Sequence, residues 1–207
     1  MNIVTCEEAT LATATPALHL TQNAAADTLL SRDPLALLIG MLLDQQFPME
    51  RAFTSPYLLA QRLGRDTLDA AEIAAYDPDA FAKLMAGPPA LHRYPTAMAS
   101  RVQALARHVA ERYGGDAAAL WRTAPTGREL LARVRALPGY GDQKARIFVA
   151  LLGKQLGIQP PGWREAAGPY GEEGSHRSIA DVTDATTLAR VRAFKQAAKQ
   201  AKATQSR

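Results

Sequence analysis

Cysteine is nearly absent from this chain. Cys6 is the only one among 207 residues. A single thiol excludes an internal disulfide and a four-cysteine iron–sulfur cluster. Long apolar runs are missing as well. The longest, residues 34–43, is too short to cross a bilayer. No basic region followed by an apolar stretch opens the chain, so neither a membrane anchor nor a signal peptide is expected, and a cytoplasmic location is. The four histidines, His19, His92, His108 and His176, show no metal-ligand spacing. There is no Gly-x-x-x-x-Gly-Lys loop for a nucleotide. No stretch alternates polar and apolar residues as a strand would, and no segment repeats at a fixed period.

Helical patterns are present throughout. Hydrophobic residues make up 47% and charged residues 21%, as in a soluble globular protein. Residues 1–20 lack periodicity and read as a flexible arm, with Leu18 and Leu20 able to pack down. Helices are expected over 21–31, 34–46, 50–63 (broken or restarted at Ser55-Pro56), 67–75, 78–85, 96–113, 116–121, 126–136, 143–155 and 186–202. Asp33 and Pro34 form a helix start signal, an N-cap followed by proline. The helix after them is apolar almost all round, so it should be the central buried one. The fold class is all-α, with one helical domain over 21–207.

Charge divides the chain. Residues 1–100 hold 6 Lys and Arg against 11 Asp and Glu; residues 101–207 hold 18 against 9. The overall charge of +4 is therefore concentrated in a basic second half. Such a half suits a polyanionic partner, although a solvated basic helix over 186–203 would look the same.

Two stretches carry the chemistry. The first, Leu137-Pro138-Gly139-Tyr140-Gly141, joins two helical patterns within 126–156. Proline cannot continue a helix interior, and the glycines permit positive φ, so the stretch reads as a tight turn between helices. The helix after it presents unpaired N–H groups that suit a phosphate. The second, Asp44-Gln45-Gln46-Phe47-Pro48, ends the apolar helix. An uncharged amide here offers both a donor and an acceptor.

Together, with the bend at 44–48 preceding the hairpin along the chain, the two stretches resemble the helix-hairpin-helix DNA glycosylase superfamily typified by endonuclease III and 3-methyladenine glycosylases, over roughly residues 35–171. The missing cysteines place it with the cluster-free branches. The resemblance implies two helical lobes with a DNA-facing cleft. One lobe would run from residue 34 through the hairpin; the other would combine the N-terminal helix with the C-terminal segment. It implies a monomer acting on double-stranded DNA, most simply as a monofunctional glycosylase in base-excision repair, or as an inactive lesion-sensing member. A third reading is a helical interaction protein that does not bind DNA.

The implied site residues follow. Gln45 and Gln46 would meet the DNA at the gap left by a flipped base. Leu137, Gly139, Tyr140, Gly141, Gln143 and Lys144 would form the hairpin's DNA contact, and its turn carbonyls often hold a monovalent cation in relatives. Leu91, His92 and Tyr94 are placed for a second groove contact. Aligned without gaps, the family's catalytic lysine position falls on Gln143. Lys144 lies roughly 100° further round the helix and serves only if the hairpin is one residue longer. The region of the family's catalytic aspartate has none. Glu165 is the nearest carboxylate there, and Asp44 is the runner-up. Trp163 could stack on an extruded base. Asp142 puts a negative charge beside the turn, where it could cap the helix.

Overall fold

A computed structural model describes residues 17–205, with side chains through Ala201. The expected arm over 1–20 thus lies mostly outside the described residues, as does Cys6. Its last part is not an arm: Leu18 and Leu20 are fully buried, and Leu20 N–H donates to Asp27 at 3.0 Å. Among the described residues the regular structure is helical and no strand occurs.

The organising helix is α2, Pro34–Leu43, which follows α1, Ala24–Arg32. Every residue of α2 after Pro34 is buried. Its start is fixed by Asp33, whose carboxylate accepts from Leu35 and Ala36 N–H at 2.9 and 3.0 Å and from Leu68 N–H at 2.7 Å. One side chain therefore caps the helix and pins a distant loop. Gly40 admits Phe53 of α3, Met49–Leu63, against the α2 backbone. Truncating Phe53 to Ala would cost roughly 3–5 kcal/mol.

α3 runs unbroken through Pro56, contrary to the expected interruption. Ser55 secures that turn: its hydroxyl bonds to Arg51 O at 2.8 Å and to Leu91 O at 2.6 Å. Tertiary packing overrides the local break signal. α4, Ala70–Ala75, and α5, Pro78–Ala86, each begin at an aspartate cap and pack on α6, Pro95–Tyr113. After the single-turn α7, Ala119–Arg122, come α8, Gly127–Arg135, and α9, Asp142–Gln155, joined by the hairpin. α10, Trp163–Ala167, arises in a Gly- and Pro-rich stretch for which no helix was expected, and packs on α8 and α9.

The chain then returns along α9. Asp181 accepts from Lys154 Nζ at 2.6 Å, Ser175 Oγ at 3.0 Å, and the N–H groups of Arg177 and Ser178 at 2.8 and 3.1 Å. The Gln155 amide donates to the carbonyls of Ile179, Ala180 and Val182. This latch sets the departure of α11, Ala185–Gln205. α1 packs on α2 and α3, and residues 179–181 pack on α9, where Lys154 and Gln155 hold them.

Candidate active-site cleft

Three elements frame a cleft of about 810 Å³: the end of α2, the start of α9 and the outer half of α11. Met41 and Asp44 come from the first, Gln143, Lys144 and Ile147 from the second, Phe194, Lys195 and Lys199 from the third. Tyr170 and Arg177 close it from the return segment.

The hairpin positions α9. Gly139 takes φ +81°, and a β-carbon there would overlap Leu42. The turn therefore needs glycine both for its backbone and for its approach to α2. Tyr140 N–H closes the turn onto Leu137 O at 3.1 Å. That carbonyl is one of those implied for a monovalent cation. Among the described residues, no group of three or more His, Cys, Asp or Glu side chains is placed to hold a metal.

Two of the expected DNA contacts face the wrong way. Leu137 is buried, and Tyr140 is buried with its hydroxyl donating to Leu38 O at 2.7 Å and its ring edge-on to Phe148. Both are struts that tie the hairpin to α2. The apolar mass of these side chains favours burial over exposure at a phosphate. Gly141 and Gln143 remain on the surface, and Gln143 donates to Tyr170 Oη at 2.9 Å. Asp142 does not cap the helix with its side chain; it pairs with Arg146 at 2.8 Å and Arg135 at 3.4 Å. Its charge is thereby offset beside the turn.

Lys144 is the side chain that α9 sends into the cleft. Its Nζ donates to Leu42 O at 2.8 Å, an orphan carbonyl at the end of α2. Burial lowers its pKa from 10.5 to about 8, against the opposing attraction of Asp44. Asp44 lines the same cleft, half-buried, with Lys195 Nζ at 3.8 Å from its carboxylate. The expected rotation of Lys144 out of the pocket is therefore not seen. Gln143, the position matched by ungapped alignment, lines the same cleft nearer its surface, bonded to Tyr170.

The remaining assignments divide. Glu165 is exposed on α10 and lines a separate shallow depression with Arg164 and Glu172, so it shares no wall with Lys144. Trp163 is buried, its ring lying on Gly153 with Arg164 over it at 4.6 Å. It anchors the loop in the core and cannot stack on a base. Gln45 is turned inward: its amide donates to Leu42 O at 2.8 Å, and its carbonyl oxygen accepts from Arg101 at 2.8 Å. Gln46 is exposed at φ +52°, a left-handed conformation that costs a non-glycine residue on the order of 1 kcal/mol.

The neighbouring loop supports that bend. Leu91 and His92 are buried, so of the three loop residues only Tyr94 is exposed. His92 Nε2 lies 3.1 Å from Gln45 O, and its Nδ1 accepts from Tyr94 N–H at 3.0 Å. The backbone donor fixes a neutral ring that donates through Nε2. Burial lowers the His92 pKa in the same direction.

Comparison with protein-family models, with curated proteins and with solved structures finds no match. The cleft must be read from its own residues. Arg177, Lys195, Tyr170 and Phe194 were not among the sequence-derived site residues. For Lys195 the one signal was the run of cations without a carboxylate in 185–205.

Proposed function

We propose that this protein is a DNA glycosylase of the helix-hairpin-helix kind, with the two-lobed arrangement of that superfamily, acting on a nucleotide extruded from duplex DNA into the cleft. The observation that carries this reading is the desolvated Lys144 amine beside Asp44, at the foot of a hairpin in a basic half of the chain. Cleavage of a glycosidic bond develops positive charge on the sugar, which a carboxylate in a partly dry cleft stabilises. Asp44 has that role here. Gln46, exposed at the tip of the bend, fills the gap left by the base.

Water is the simplest nucleophile, and the reaction is then a hydrolysis that leaves an abasic site. Lys144 adds a second route. With a pKa of about 8, roughly one amine in ten is neutral at pH 7. A neutral amine attacks C1′ as the base departs with the electrons of the glycosidic bond. Loss of a proton and opening of the sugar then give a Schiff base.

The test is base release from duplexes carrying uracil, an alkylated purine, an oxidised purine or a mismatch, read with and without hot alkali and with borohydride. Product only after alkali indicates hydrolysis, expected to fall at least 100-fold in D44N. Product without alkali, trapped by borohydride and lost in K144A, indicates the amine route. A second reading is a lesion-sensing protein without catalysis. It is favoured by the engagement of both groups, Lys144 with Leu42 O and Asp44 with Lys195. Duplex binding with no product on any lesion supports it. Absence of duplex binding defeats both.

A further inference from the structure

The outer half of α11 is unusual for a helix at the end of a compact chain. Leu188 and Val191 are its buried anchors. From residue 192 through 201 no side chain is buried, so the helix continues for more than two turns past its last buried side chain. This stretch has no apolar seat and is met by polar contacts such as those of Arg192 with Glu50 and Lys195 with Met49.

Its chemistry is one-sided. Residues 185–205 contain five cations, Arg190, Arg192, Lys195, Lys199 and Lys202, and no carboxylate. Arg192, Lys195 and Lys199 recur at intervals of three and four, which puts them along one face. Arg192 is tied to Glu50 at 2.7 Å. Lys195 and Lys199 line the mouth of the cleft, together with the exposed ring of Phe194. Arg177 adds a further cation over that ring at 5.6 Å. A row of lysines rooted on a solvent-exposed helix suits the regular negative charge of a nucleic-acid backbone better than a single buried anion.

We infer that the outer half of α11 is a second DNA-binding element, with Lys195 and Lys199 taking backbone phosphates of the strand that enters the cleft. This rests on the function proposed above. It adds a contact surface separate from the hairpin and from the bend at Gln46. On binding, Lys195 exchanges its long 3.8 Å contact with Asp44 for a phosphate, so occupancy of α11 and exposure of the Asp44 carboxylate are coupled.

The experiment is binding of the full chain to a short duplex with a central tetrahydrofuran abasic analogue, followed by anisotropy over a salt series. Wild type, K195Q/K199Q and R107Q/R112Q are compared, the last pair lying on α6 and outside the cleft lining. Each phosphate contact contributes about 0.9 to the slope of log K against log salt, so the α11 variant should lose about 1.8 and the α6 variant nothing. Thermal melting checks that both variants fold. An unchanged slope in K195Q/K199Q, or an equal fall in R107Q/R112Q, overturns the inference while leaving the glycosylase reading intact. A wild type that binds no duplex removes the reading itself, and the inference with it.

Discussion

α9 and α11 both send a lysine into the same cleft, from opposite kinds of root. Lys144 grows from a helix whose neighbours Ala145, Phe148 and Val149 are fully buried. Lys195 grows from a stretch in which no side chain is buried, and its own side chain is 43% exposed. The buried root strips water from one amine and lowers its pKa to about 8. The exposed root leaves the other amine near the surface, with long contacts to Met49 Sδ at 3.5 Å and Asp44 at 3.8 Å. The same functional group thus sits in two kinds of surroundings. A desolvated amine is suited to act as a base or nucleophile, and a hydrated one to meet phosphate charge.

The latch between the two helices gives the largest expected effect. Asp181 is the carboxylate on which α11 departs from α9, with Lys154 largely buried against it. Removing it in D181A strands a buried ammonium and two backbone N–H groups. A loss of roughly 3–5 kcal/mol is expected by chemical denaturation, with faster amide exchange in the first turns of α11. A loss below about 1 kcal/mol would show that α11 is held by something else.

The contrast in burial can be sharpened by pH. The unfolded Lys144 amine holds its proton to about pH 10.5, and the folded one releases it near 8. Between these values the unfolded chain binds more protons, so raising pH favours the folded state. Below pH 8 both forms are charged and the burial penalty is complete. Wild type should therefore gain stability relative to K144M from pH 8 to 10.5, on the order of 2 kcal/mol after allowance for partial exposure. Parallel curves for the two proteins would mean that the amine is hydrated after all.

Smaller effects separate struts from contacts. Tyr140→Phe removes one buried hydrogen bond to α2 and should cost about 1 kcal/mol. DNA binding should be unchanged, since the hydroxyl faces inward; weaker binding at equal stability would return Tyr140 to the DNA surface. K195Q/K199Q should alter stability by less than about 0.5 kcal/mol, as expected where the root is exposed. A larger loss would make α11 a structural helix rather than a binding one.

Much of the fold was legible in the chain. The cap at Asp33, the apolar run behind it, and the proline and glycines at 138–141 locate α2 and the hairpin by local chemistry alone. α10 was not legible, because five residues in a Gly- and Pro-rich stretch carry too little periodicity. Pro56 misled for the opposite reason: a strong local signal was overruled by Ser55 and its bonds to Arg51 and Leu91.

The site was legible in part. Asp44 and Lys144 were among the residues named, but their meeting in one cleft was not foreseen. Glu165, Trp163, Leu137 and Tyr140 were named for residue type and position, and the structure turns each elsewhere. A helix rotates its side chains by roughly 100° per residue, so a one-residue question of register such as Gln143 against Lys144 is undecidable from spacing. The sequence by itself determined the helical class, the central helix, the turn and the basic second half, because caps, periodicity and charge are local properties. That Lys144 is partly desolvated, that Gln45 bonds back to the end of α2 and that α11 flanks the cleft follows from packing alone. Burial and facing depend on which distant residues arrive beside a side chain, and no local pattern encodes them.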